Sequence, residues 1–390
     1  MPQPIKKKIQ DTHGDIIKEP PTLTLLIDGN SLLFNCFADK KTNSDGVHYG
    51  AIYQFLLQIR MQLTQRQFHK IVCVFDSHDS GLLRYQIYKP YKQNRGKDYE
   101  SHVVSEYMQA FNENLKRMQK AIFKPKEKVS PQEAFIDENF DRERDVLCEM
   151  FNEVCIRWHM DEIVEGDDLI AYYCLHKREN ERILIISADM DLTQLLSDEV
   201  MIYNQKLKKY ISNKNFKQYF GYDYRNTLVK KIFCGDTSDN IGNIKGLSEA
   251  KLFEIMPEIK DRGVTVEEVK QRAQMLNEER VKEKKKPFKV YENIIEGVAT
   301  KDYDGDFYEI NEKLVNLHKP ILTDEAKEEA DGLIEAPLDM EDRNIANLVG
   351  IIEREKVEEL MGDTRFASFF APFKRIIGIE DDFYRKSLSE

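Results

Sequence analysis

The chain has 390 residues, 41% of them hydrophobic and 33% charged, which is enough for two or three domains and a large buried core. No stretch approaches about 18 uncharged apolar residues, so no membrane-spanning helix is expected. The net charge of −11 argues against a uniformly basic nucleic-acid coat, although basic residues concentrate locally at Arg84–Lys97, Lys116–Arg117, Lys120–Lys128, Lys206–Lys217 and Lys282–Lys289.

Residues 1–22 read as a polar leader without the apolar segment of a signal peptide, so a cytoplasmic location is expected. The six cysteines are scattered with no C-x-x-C pair, consistent with reduced thiols and no zinc site. From 23 to about 225, apolar strand-like runs alternate with helical periodicity, the pattern of a mostly parallel α/β sheet flanked by helices. Leu23–Ile27 runs into Asp28-Gly29-Asn30, and Ile71–Phe75 runs into Asp76. Gly50–Leu63 carries an amphipathic stripe, and Val146–Trp158 carries another, so both segments are expected to be helices. Between them, about 85–145 has many charges and little strand pattern, and is expected to arch over the site.

Glu165-Gly166-Asp167-Asp168 then opens a helical stretch, Ile183–Ile186 leads to Asp189-Met190-Asp191, and an amphipathic segment leads to Asp236-Thr237-Ser238-Asp239. In a parallel sheet the carboxyl ends of the strands share one edge, so these carboxylates are expected to converge. Negative charge gathered in this way calls for hard divalent cations, and a pair of them is the usual apparatus for phosphodiester cleavage. Each acid alone is an ordinary turn or cap residue, and it is the combination that points to chemistry. The run Lys89-Pro90-Tyr91-Lys92-Gln93-Asn94-Arg95 offers cations for the charge that builds up in cleavage, and Tyr91 a ring on which a terminal base could stack. Asn240–Leu247 places two glycines in a tight turn between helices, able to hold duplex phosphates or a monovalent cation. Residues 226–260 are therefore taken as a duplex-binding unit, 261–302 as a charged, solvated helical insert, and 307–390 as a helical end portion. Phe366, Phe369, Phe370 and Phe373 follow i, i+3, i+4, i+7 spacing, which is either a buried helix face or a partner-docking patch.

Taken in order, Ile27–Asn30, Phe75-Asp76, Tyr91–Arg95, Glu165–Asp168, Ser187–Asp191 and Gly235–Ile241 resemble the 5′-nuclease (flap endonuclease) superfamily. Arg95-Gly96-Lys97, Ile185–Ser187 and Thr193–Leu195 look most like its T-even phage ribonuclease H branch, with a weaker echo at Asn311–Val315. The resemblance implies a PIN-like α/β domain with a helical arch and a helix–three-turn–helix motif. It also implies 5′→3′ exonuclease and flap cleavage of DNA and RNA–DNA hybrids, serving primer removal in phage-infected cells. Carried over, Asp28, Asp76, Glu165 and Asp167 would surround a first Mg2+ and Asp189 and Asp191 a second. Asp236 and Asp239 would act through waters, Asp168 in support, and Mn2+ would substitute. Lys92 and Arg95 would meet the scissile phosphate, and Arg84, Lys89, Tyr91, Lys97, Gly242, Lys245, Gly246 and Lys251 would contact nucleic acid. The resemblance also places K+ at the 240–248 turn, where Ser248 stands in place of a usual third glycine. Expected partners are DNA and RNA–DNA duplexes with 5′ ends or flaps, and a single-stranded-DNA-binding protein or sliding clamp at the C-terminal region. The rival readings are a PIN-type endoribonuclease, a non-catalytic replication protein and a metal-dependent phosphatase.

Overall fold

Six strands frame the structure: β1 (Thr22–Asp28), β2 (Lys70–Asp76), β3 (Arg157–Asp161), β4 (Glu181–Ile186), β5 (Val200–Asn204) and β6 (Lys209–Ile211). The computed structural model describes residues 21–95, 131–341 and 343–389. Residues 1–20 of the expected leader and 96–130 of the expected arch lie outside the described residues. The strands form one sheet in the order β3-β2-β1-β4-β5-β6, parallel except where β6 returns against β5.

Along the chain the first helices are α1 (Gly29–Cys36), α2 (Gly50–Gln65), α3 (Leu82–Ile87), α4 (Pro131–Glu153) and α5 (Gly166–His176). After the sheet come α6 (Phe216–Phe220), α7 (Thr227–Cys234), α8 (Glu249–Ile255), α9 (Val266–Lys282) and α10 (Lys289–Glu296). The end portion holds α11 (Phe307–Val315), α12 (Asp324–Glu335), α13 (Ile345–Glu355), α14 (Asp363–Phe370) and α15 (Lys374–Ser387). No described helix is long and apolar enough to cross a membrane.

Alternation along the central strands sends successive side chains to opposite faces, and both faces are covered. Leu26, Val72, Val74, Ile183 and Ile185 pack toward α5, α7, α8, α11 and α12. Leu25, Ile27, Cys73, Phe75, Leu184 and Ile186 pack toward α1, α2, α4 and α13. Phe369, Phe370 and Phe373 belong to this second core and are at most 8% exposed, so the aromatic run is a buried face and offers no docking patch. The expected helix at 146–158 ends early. Cys155 takes a positive φ of 57° and turns the chain, and Trp158 lies on β3 opposite Cys73. The apolar spacing continues through that turn, so periodicity alone hides the break.

Candidate active site

The sheet register delivers the first carboxylates to one edge: Asp28 closes β1, Asp76 closes β2, and Asp189 follows β4. A side chain at Gly29 would put its Cβ 2.5 Å from the Phe75 ring, so only glycine lets the turn after β1 press against the end of β2. Asp28 caps α1, accepting from the Ser31 amide at 3.0 Å, and its other oxygen accepts from Ser187 Oγ at 2.6 Å. Ser187 Oγ in turn accepts from the Asp189 amide at 2.8 Å. Asp76 accepts from the Gly166 amide at 2.6 Å, which draws the first turn of α5, and Asp167 with it, into the group. Asn30 Oδ1 holds the Asp76 amide at 3.1 Å.

Asp28, Asp76, Asp167 and Asp189 form no ion pair with a described lysine or arginine. Burial, with Asp76 and Asp189 adding repulsion, pushes the Asp28 carboxyl up to about 7 despite its hydrogen bonds to Ser187 and Ser31. Burial followed by repulsion from Asp189, Asp28, Asp76 and Glu165 pushes Asp167 well above the carboxylate range. Such a set of hard oxygen donors, with no ion-paired cation among the described residues, fits a divalent cation.

The remaining acids are neutralised from within. Glu165 is buried against Lys92 and lies 2.9 Å from Arg84, and the Tyr91 hydroxyl donates to it at 3.0 Å. Burial alone would raise its pKa, but the two cations outweigh that and bring Glu165 down to about 2. Lys231, on α7, lies 2.6 Å from Asp191 and also pairs with Asp236. Burial pushes both acids up. Lys231 and Ser238 bring Asp236 down to about 2, while Asp191, with Asp189 and Asp236 nearby, stays at about 6.

Two loops lock together beside the carboxylates. Lys92 adopts a φ of 52°, and its amide donates to the Asp239 carbonyl at 2.9 Å. Asn240 Nδ2 donates to Pro90 O at 2.6 Å, and Asn94 Nδ2 to Thr237 O at 2.8 Å. Gly235, at φ 64°, allows the chain to double back, since a Cβ there would meet Gly242 O at 2.5 Å. Lys92 keeps its proton: burial opposes the charge, and Glu165, Asp239 and Asp76 more than offset that. Arg95 has its backbone at this loop, while its side chain and Lys97 lie outside the described residues.

Several expected contacts are corrected. Arg84 is 4% exposed; it forms a two-pronged pair with Asp168 and donates to Leu314 O at 2.8 Å, so it is an internal strut and does not face nucleic acid. Asp168 is drawn away from the metal-fitting group by that pair and by the Ile321 amide at 3.0 Å. The Tyr91 ring is 1% exposed and has no face open to a base. Gly242 points inward: its amide donates to the Tyr303 hydroxyl at 2.8 Å, and its carbonyl accepts from Asn311 at 3.0 Å. Asn311, in the weaker echo, thus braces the turn from α11. The Ile244 and Leu247 carbonyls accept from Asn243 Nδ2 at 3.2 and 3.0 Å, so a side-chain amide satisfies oxygens in the turn expected to hold K+. Ser248 caps α8. Lys89, Lys245 and Gly246 are exposed, and Lys251 is half-buried.

Sequence reasoning missed Lys231 and Ser187. Lys231 sits five residues before Asp236 on the amphipathic helix, a weak signal, and Ser187 lies inside a quoted motif. Away from this group, the fold sets His159 Nε2 3.2 Å from Glu329 and close to Asp161.

The family model of the 5′-3′ exonuclease N-terminal, resolvase-like domain matches residues 23–221, the stretch that carries Asp28, Asp76, Glu165, Asp167 and Asp189. The chain belongs to this family. A 5′-3′ exonuclease of Mycoplasmopsis pulmonis is 37% identical over 86 residues, 22% of this chain and 29% of that protein. DNA polymerase I of Bacillus subtilis is 24% identical over 272 residues, 68% of this chain and 26% of the polymerase. The chain thus spans about a quarter to a third of the length of these curated relatives. Among solved structures, the T5 5′-exonuclease with bound zinc superposes with a TM-score of 0.53 at 16% identity, covering 86% of this chain and 98% of that one. At that identity the likeness is one of fold, and it extends beyond the family match into the helical end portion.

Proposed function

We propose that this protein is a Mg2+-dependent 5′→3′ exonuclease and flap endonuclease that hydrolyses phosphodiesters in DNA and RNA–DNA hybrids. Its role would be the removal of RNA primers during phage DNA replication, in the cytoplasm of the infected cell. The observation that carries the reading is the group Asp28, Asp76, Asp167 and Asp189, gathered at one sheet edge with no ion-paired cation among the described residues. Those four would hold the metal, with Mn2+ as a substitute and Asp191 beside them, and Glu165 at their margin. When bound, the metal supplies the positive charge that the phosphodiester requires as it breaks.

The protein's own residues do the positioning. Lys92, locked against Asp239, holds a permanent cation beside the carboxylates, where it would stabilise charge on the phosphate in the transition state. Arg95 would act with it. Ser187 and Asn30 hold Asp28 and Asp76 in place through hydrogen bonds, so little rearrangement is needed. Lys245, Gly246 and Lys251 present the duplex-facing turn, and Lys89 extends the cationic edge. DNA-bound relatives of this fold include the bacteriophage T5 flap endonuclease, solved with DNA and metal ions, which supports nucleic acid as the substrate. A single-stranded-DNA-binding protein or sliding clamp would have to engage a surface other than the buried aromatic face.

The test is cleavage of 5′-labelled flap, nicked and RNA–DNA substrates with magnesium and with a chelator. Magnesium-dependent release of 5′ products supports the reading. Internal cleavage of single-stranded RNA without need of a 5′ end would favour a PIN-type endoribonuclease instead.

A further inference from the structure

We infer that residues 280–289, the tip of the charged insert, form a second phosphate-binding platform that continues the turn at 240–248 along a nucleic-acid duplex; this rests on the nuclease reading above. The insert separates its charges. α9 begins with a capping box of Thr265 and Glu268, has Glu267 and Glu268 in its first turn, and has Arg280 and Lys282 in its last. Beyond it come Lys284, Lys285, Lys286 and Lys289, with Glu283 the one acid between 280 and 289.

The tip is a built turn. Lys284 and Lys285 amides donate to Val281 and Arg280 carbonyls at 2.9 and 2.8 Å, and Arg280 Nε donates to Lys286 O at 3.1 Å. Asn277 Oδ1 accepts from the Phe288 amide at 2.8 Å. Lys285 pairs with Glu283 at 2.7 Å and Lys289 with Glu292 at 3.3 Å, whereas Lys282, Lys284 and Lys286 are exposed and pair with no described carboxylate. Glu278 and Glu279 stand four and three residues before Lys282, and Glu283 three before Lys286, yet none of these carboxylates is drawn into an ion pair with them; Glu283 pairs with Lys285 instead.

The segment that follows the tip is hydrogen-bonded to the duplex-facing turn. The Lys245 amide donates to Val298 O at 2.9 Å, Asn293 Nδ2 donates to Lys245 O at 2.8 Å, and the Thr300 amide donates to Asn243 O at 2.8 Å. The Phe288 ring lies 5.4 Å from Lys251 of α8 and 5.6 Å from Arg280 of α9, so one ring joins the cations of the turn to those of the tip. On a chain of net charge −11, the exposed and unpaired Lys282, Lys284 and Lys286, linked through Phe288 to Lys251 beside such a turn, are complementary to a phosphate backbone.

The test measures binding to plain duplexes of about 10 and about 20 base pairs in EDTA, one and two helical turns. The wild type is compared with the triple variant Lys282→Gln, Lys284→Gln, Lys286→Gln, whose melting temperature should be unchanged because all three side chains are exposed. The wild type should gain affinity with the longer duplex, and the variant should lose most of that gain. The slope of log affinity against log salt should become shallower by about 2 to 3, since each lost phosphate contact removes roughly 0.9. Equal slopes and equal length dependence in the two proteins overturn the inference and leave the lysines to another partner, such as an acidic protein. A wild type that binds with the expected slope yet cleaves no 5′-ended substrate would instead sink the nuclease reading, so the two failures are separable.

Discussion

Two sets of carboxylates meet at the same sheet edge and are treated differently by the rest of the chain. Glu165, Asp168, Asp191 and Asp236 each have a lysine or arginine folded against them, whereas Asp28, Asp76, Asp167 and Asp189 have none among the described residues. Asp167 and Asp168 are neighbours in sequence, yet the turn of α5 points one to the acid cluster and the other to Arg84. Charge compensated by the protein builds structure, and charge left uncompensated is available to a cation from solution. The pKa shifts follow this division at its extremes: paired Glu165 and Asp236 fall to about 2 and unpaired Asp28 rises to about 7, while burial outweighs the partner cation at Asp191, which stays at about 6, and also raises Asp168.

If the division is right, Asp189→Ala should reduce cleavage to below about a thousandth of the wild-type rate while DNA affinity stays equal or rises, because a repulsive charge is lost with the ligand. Single-turnover assays at saturating magnesium would decide it; retention of more than about a tenth of the rate would place Asp189 outside the chemistry. Arg84→Ala should act on the other set. It strands Asp168 without its buried partner and should cost about 3 to 5 kcal/mol in urea unfolding, and a loss under about 1 kcal/mol would mean the strut is dispensable.

Lys92 stands between the two sets, since it pairs with Glu165 and lies near Asp76 of the cluster without an ion pair to it. Lys92→Ala should slow the single-turnover rate on the order of 10²-fold with a modest change in binding. If affinity falls while turnover holds, Lys92 is only a phosphate anchor. The smallest effect concerns pH in the presence of a chelator. Asp28 has a higher pKa folded, about 7, than unfolded, 3.8, so between these values the folded state binds more protons. Stability should therefore fall as pH rises from about 4 to about 7, by a few degrees in melting temperature, and Asp28→Asn should flatten the trend. A slope that survives Asp28→Asn unchanged would assign it to other groups.

The convergence of Asp28, Asp76 and Asp189 was legible because strand ends are written in the sequence as apolar runs that stop at an acid. Their compensation was not, since it depends on which side of a helix folds inward. Arg84 lies in a run of cations without acids and reads as a nucleic-acid contact, yet its partners Asp168 and Leu314 are distant in sequence. Tyr91 was misread for the same reason: a ring among cations suggests stacking, and only the packed fold turns its hydroxyl to Glu165. β3 escaped because its residues Arg157–Asp161 are largely polar and follow a helix whose stripe runs on into them. The spacing of the aromatic run left a buried face and a docking patch both open, and the packed fold decides for burial at Phe369, Phe370 and Phe373.

The division of charge is tested most directly by titrating Mn2+ into the wild type, Asp167→Asn and Asp168→Asn, following heat or the enhanced relaxation of bound manganese. Asp167→Asn should weaken binding at least about tenfold, since the loss of a group that merely supports a metal ligand already costs about that much, while Asp168→Asn should bind as the wild type does. Equal losses in the two variants, or a loss confined to Asp168→Asn, would contradict it.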